Sequence, residues 1–204
     1  MATPGLAKKK GLLSRELFDA VQLMMAPDIP LKGNLWGIGD TVSVLLRYHA
    51  NPSVLDSRGR TPLIICVSEI AAHPYNLMPY FLSAMDRLIE AGATVDTQDS
   101  EGHTALMIAC RSGKEELAEY LLAKGANPNK TDPHKRSSLF YAVEATKNEP
   151  PEVERARNSL VSLLLFYKAK KDWQDDQGLS ASEFALQHGR QDLHDMLTYP
   201  SERP

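Results

Sequence analysis

The sequence predicts an all-α solenoid of about five helix–turn–helix units, joined by short β-turn or hairpin connections. Three observations carry this. An Asp-x-x-Gly-x-Thr pattern at Asp99 returns in altered form at Asp132, 33 residues on. A pair of large aliphatic residues follows each such start at a fixed distance. A glycine, or a residue standing in its place, then closes the unit before an Ala. A fixed period of this length means stacked units that cannot bury their apolar faces alone.

Residues 99–132 show the unit most clearly: Asp99, Gly102 and Thr104, an Ala-rich apolar run, Gly113, an amphipathic stretch, Leu121-Leu122, and Gly125-Ala126-Asn127. Further units open at Asp56, Asp132 and Asp175, so two of the spacings are ten residues longer than 33. Thr61, Thr104, Ser137 and Ser180 share one column, where a hydroxyl can accept a bond from a free N–H at a helix start. Cys66, Ala109, Ala142 and Ala185 share a second, where a small side chain admits close helix approach. Leu45, Leu88, Leu121 and Leu164 form a third, backed by Leu46, Ile89, Leu122 and Leu165. Burying each of these large aliphatics stabilises the chain by roughly 1.5–3 kcal/mol. His49, Gly92, Gly125 and Lys168 end the second helices. Glycine suits the left-handed turn there, whereas His49 and Lys168 would carry about 1 kcal/mol of strain each.

These residues resemble the ankyrin repeat, a β-turn followed by two helices with a T-P-L-H-x-A core. The resemblance covers residues 56–197, with units at about 14–55, 56–98, 99–131, 132–174 and 175–199, the first degenerate and the last polar. The repeat domain is therefore expected over 14–199, between a flexible basic tail (1–13) and a short tail (200–204). The family's His is absent: its column reads Ile64, Met107, Phe140 and Glu183, which predicts a drier stack.

The extra residues fall between first and second helices, near residues 71–80 and 146–158, and the first unit has a long connection at 26–39. Pro74, Pro79, Pro150 and Pro151 predict loops there, with Pro79 able to start a helix and Glu152 onward able to begin a longer second one. Trp36, Tyr75 and Tyr80 lend these segments aromatic surface. They are either tolerated insertions or docking loops.

Composition bounds the function. The chain has 204 residues, 43% hydrophobic and 24% charged, as in one globular domain. Its formal net charge of -3 argues against sequence-independent nucleic-acid binding. No apolar run approaches the ~18 residues of a membrane span. The N-terminal MATPGLAKKKG is basic but lacks an apolar stretch for secretion, so a cytoplasmic protein, with the nucleus open, is expected. Cys66 and Cys110 read as small buried thiols. There is no HExxH, no zinc spacing, no phosphate loop and no GxSxG, so neither catalysis, metal nor cofactor is expected.

The resemblance implies a concave face lined by first helices and hairpin tips, which in this family usually binds other proteins. Column by column, that face would offer Arg58 and Glu101 with His134, then Arg60 and His103 with Arg136, then Arg111 with Glu144, together with Lys135 and an anchor at Trp173. The expectation is a protein adaptor or regulatory subunit, monomeric when unbound, whose groove accepts an acidic or phosphorylated segment. The alternatives are a solvated rim, a fixed part of a larger assembly docked through the long connections, or an enzyme or small-molecule binder using a pocket around Trp36.

Overall fold

The computed structural model describes residues 12–17, 19, 38–73, 78–144 and 151–199. Trp36, Pro74, Tyr75, Pro150, the side chain of Tyr80, the tails 1–11 and 200–204 and most of the 26–39 connection lie outside the described residues. The chain divides into two compact units, Met1–Ser100 and Glu101–Pro204.

The first unit holds α1 (residues 12–17), α2 (Ile38–Arg47), α3 (Pro62–Ala72) and α4 (Met78–Glu90). Helix α2 packs on α4, and α3 on α4. The apolar run that begins α3 leaves nothing outside: Leu63, Ile64, Ile65, Cys66 and Val67 are buried with Phe81, Met85 and Leu88 of α4. At the degenerate front, Leu45 and Leu46 are only half-buried, a weaker seal than their column promised. The Ser14 hydroxyl accepts the Asn51 N–H at 2.9 Å and ties α1 to the turn after α2.

The second unit holds α5 (Ala105–Arg111), α6 (Glu115–Ala123), α7 (Ser138–Val143), α8 (Pro151–Phe166), α9 (Ala181–Gln187) and α10 (Gln191–Thr198). Its first helices stack in sequence, α5 on α7 on α9, and α6 packs on α8. Ala109, Ala142 and Ala185 are wholly buried, as the small column requires, and so are Leu121 and Leu164. In place of the missing His, Phe140 meets Phe184 with ring centroids 5.7 Å apart.

Helix ends follow the sequence closely. Thr61, Thr104 and Ser180 each accept the N–H three residues on, at 3.2, 3.2 and 3.3 Å. Glu183 returns the favour, accepting the Ser180 N–H at 2.8 Å in a full capping box. Ser137 departs from its column. The N–H that its hydroxyl should cap, that of Phe140, bonds to the Ser137 carbonyl at 3.0 Å, and α7 opens as a tighter turn. At the other ends, His49, Gly92, Gly125 and Lys168 all have positive φ, 65°, 95°, 90° and 66°. Each is followed by an Ala whose N–H reaches back five residues, as in Ala126 to Leu121 at 3.0 Å and Ala169 to Leu164 at 2.9 Å. This is the two-bond closure that satisfies the last carbonyls of a helix.

One expectation needs correction. The extra residues mainly lengthen helices and not loops. Helix α3 has 11 residues against 7 in α5, α4 has 13 against 9 in α6, and α8 has 16. The prolines permit this because they sit at helix starts: Pro151 is the first residue of α8 and Pro79 the second of α4, where a missing N–H costs nothing.

Candidate functional site

The hairpins at Asp56, Asp132 and Asp175 are each built by their opening aspartate. Asp132 accepts the Arg136 N–H at 2.8 Å and the Arg136 Nε–H at 3.2 Å, while the Tyr141 hydroxyl donates to its second oxygen at 2.7 Å. Asp56 does the same with the backbone of Arg58 and Arg60 and with the Arg60 guanidinium, all at 2.8 Å. Burial alone would raise both carboxyls, but these donated bonds and the adjacent arginine hold them below the usual carboxylate range. Tyr141 moves the opposite way: burial, and then its bond to the Asp132 carboxylate, push its hydroxyl far up. It stays a neutral donor. The Asp132 hairpin closes with an isolated antiparallel bridge between Thr131 and Ser137. Lys135 takes the left-handed position at its tip, with φ 59°, where the hairpin before it has Gly102.

Within the second unit these hairpins and the first-helix ends surround one open concavity of about 560 Å³. Six of the residues expected from the columns line it: Glu101 and His134, His103 and Arg136, Arg111 and Glu144. Asp132, Tyr141 and His188 join them, and column reasoning had missed these three as lining residues. Asp132 had been assigned only to the turn. Tyr141 precedes the small column residue Ala142, a place that faces neighbours in most positions of the helix. His188 follows Gln187, which holds the position of Arg111 and Glu144 in the last unit, and could have been found by extending that column one step.

Most of the polar groups here are engaged internally. His103 is largely buried, 3.4 Å from Glu101 and edge-on to Tyr141 at 5.5 Å. His134 pairs with Asp176 at 3.0 Å, and His188 bonds the Phe184 carbonyl at 2.8 Å while lying against that ring. Arg136 is spoken for by Asp132 and also stands 5.4 Å from the Tyr141 ring. Among the described residues, the Arg111 guanidinium and the Glu144 carboxylate form no salt bridge. The lining thus carries both signs of charge.

Four expected residues do not line this concavity. Arg58 and Arg60 belong to the first unit, where Arg60 serves its own Asp56. Lys135 is exposed, and Trp173 donates its indole N–H to the Lys135 carbonyl at 3.1 Å. No group of three His, Cys, Asp or Glu among the described residues could hold a metal ion. Cys66 and Cys110 are free and buried, and burial pushes the Cys66 thiol up to about 12.

A family model, "Ankyrin repeats (3 copies)", matches residues 80–150. That span contains the unit from Asp99 with its Thr cap, Leu pair and Gly closure, the very features seen in α5, α6 and their turns. The chain carries ankyrin repeats. The ankyrin repeat and KH domain-containing protein mask-1 of Caenorhabditis elegans is 36% identical over 59% of this chain, which spans 6% of that relative. The mouse (Mus musculus) ankyrin repeat and SOCS box protein 16 is 31% identical over 66% of the chain, which spans 28% of it. The mouse ankyrin repeat domain-containing protein 63 is 33% identical over 45% of the chain, which spans 23% of it. This chain therefore corresponds to less than a third of each of these ankyrin proteins. Ankyrin repeats are protein–protein interaction modules, and among the described residues no helix is long and apolar enough to cross a membrane.

Proposed function

We propose that this ankyrin chain acts as an adaptor or regulatory subunit that holds a segment of a partner protein in the concavity of its second unit. The observation that carries the reading is the convergence of three columns from two successive repeats on one open space. Within it, Arg111 and Glu144 are the ionised groups with no salt-bridge partner among the described residues. A segment with a carboxylate or phosphate opposite Arg111 and a hydrogen-bond donor opposite Glu144 satisfies both. Tyr141 and Asp132 hold the Arg136 hairpin rigid, so little ordering entropy is lost on binding. Two buried free thiols favour a reducing compartment, so we place the interaction inside the cell.

The test is affinity capture of partners from the native cell, followed by binding measurements with purified chain. Arg111→Glu and Glu144→Arg should each weaken the captured partner by about tenfold or more, and the double reversal should change its preference. Unchanged affinity in both single variants would remove the concavity as the docking site.

A further inference from the structure

Lys135 and Trp173, which the concavity leaves out, belong to another surface of the second unit. The connection before the Asp132 hairpin and the one before the Asp175 hairpin are clasped together. The Asn129 side chain donates to the Lys168 carbonyl at 3.0 Å and accepts the Lys170 N–H at 2.8 Å. Trp173 is fixed to the Lys135 carbonyl, and the Lys170 ammonium stands 5.2 Å from its ring centroid. The clasp therefore joins the backbone of Lys168 and Lys170 to Asn129 and Trp173 to Lys135, so that Lys130, Lys135, Lys168, Lys170 and Lys171 all lie on or beside the joined connections, and Asp172 is the one carboxylate within the 166–173 run. None of these five lysines forms a salt bridge among the described residues. Two residues before Lys168, at the end of α8, Phe166 is 77% exposed, with the Tyr167 ring edge-on to it at 5.4 Å.

We infer that this lysine- and aromatic-bearing edge is a second docking surface, separate from the concavity, and that its occupant is an acidic segment of a partner protein carrying an apolar side chain. Five ammonium groups without carboxylate partners attract a polyanion. Lysines are compact charges on flexible stems, which suits carboxylates spread along a flexible peptide. Phe166 supplies the apolar contact. A bilayer fits less well, because insertion needs rings free to enter the headgroup layer and Trp173 is 37% exposed with its N–H bonded to the protein. A single-stranded nucleic acid fits less well too: the Trp173 ring already carries the Lys170 ammonium, and the 166–173 run contains no arginine.

The experiment uses the whole chain and a fluorescent glutamate-rich peptide with one central leucine, followed by anisotropy at low and at physiological salt. The chain should bind the peptide, and raising the salt should weaken it, because exposed charges are screened within about 8 Å at physiological ionic strength. Lys130→Glu, Lys170→Glu and Lys171→Glu together should weaken binding about tenfold or more, the corresponding three glutamines less, and Phe166→Ser by a few-fold. Arg111→Glu should leave it unchanged, which separates this edge from the concavity. Failure of the peptide to bind overturns the inference, as does retention of binding in the folded triple-glutamine and Phe166→Ser variants. Loss caused by Arg111→Glu overturns it by moving the segment to the concavity. Tighter binding of phosphatidylserine vesicles or of oligouridylate than of the peptide overturns it in favour of those partners.

Discussion

Asp132 shows how one side chain can fix a hairpin and shape a binding surface together. Its carboxylate receives three donors, and the shortest bond is from Tyr141. Tyr141→Phe removes that donor and leaves a carboxylate oxygen that is almost without solvent contact, at a cost of about 2 kcal/mol at neutral pH. The sign of its pH dependence follows from the lowered Asp132 carboxyl. A group held below its ordinary value adds stability that is present above the unfolded pKa, about 4, and is lost as pH falls through the folded one. The gap between Tyr141→Phe and the parent, read by urea unfolding, should therefore be widest from neutral pH down to about pH 4 and narrow steadily as pH falls further. A gap of equal size at both ends would show that Tyr141 acts by packing alone.

At the scale of elements, the second-helix closures offer a direct comparison. Lys168 adopts the same left-handed turn as Gly125, with the same pair of return bonds. Lys168→Gly should raise stability by up to about 1 kcal/mol, whereas Gly125→Lys should lower it by a similar amount. Equal stabilities in thermal or urea unfolding would mean that the turn is not held as described. Helix α8 carries a larger effect. It begins seven residues before the point that matches the start of α6, and Arg157 lies in that added length. Arg157 is 2% exposed, and its guanidinium donates to the carbonyls of Ala142 and Arg111 at 3.2 Å and of Tyr141 at 3.5 Å, at the C-terminal ends of α7 and α5. A positive charge there answers both helix dipoles and their unpaired carbonyls. Arg157→Ala should cost about 3 kcal/mol, and Arg157→Lys, lacking the span of a planar fork, should recover only part of it. A neutral Arg157→Ala in chemical denaturation would contradict this.

These elements also show what the sequence could disclose. Period and columns placed the helix pairs, the caps at Thr61, Thr104 and Ser180, and six lining residues of the concavity, because each depends on register alone. Arg157 was invisible, since its partners are carbonyls 15 and 46 residues away and no column contains it. Lys135 and Trp173 were misplaced because register fixes a position along the hairpin but not its facing. Lys135 at the left-handed tip offers its carbonyl to Trp173, and neither residue lines the concavity. The prolines near 79 and 151 read equally as loop or helix start, and only the packing of α4 and α8 decides.

For the molecule as a whole, the two cysteines provide one reporter in each compact unit. Cys66 lies in α3 of the first, Cys110 in α5 of the second, and both are fully buried. Burial raises both thiols, Cys66 to about 12 and Cys110 further, despite the nearby Arg157 charge on the latter. A thiolate is the reactive form, so neither should react with a disulfide reagent at neutral pH unless its unit opens. In single-cysteine chains made by Cys66→Ala or Cys110→Ala, the labelling rate then measures opening of the unit that retains the thiol. Leu121→Ala in the second unit removes a fully buried side chain and should cost about 2–5 kcal/mol. Opening that needs loss of the α5–α6 packing becomes correspondingly more frequent, so labelling of Cys110 should accelerate by at least about tenfold in the Leu121→Ala chain. Rapid labelling of Cys110 in the unmutated core, or a rate indifferent to Leu121→Ala, would mean that the leucine column does not seal the unit in the way its burial requires.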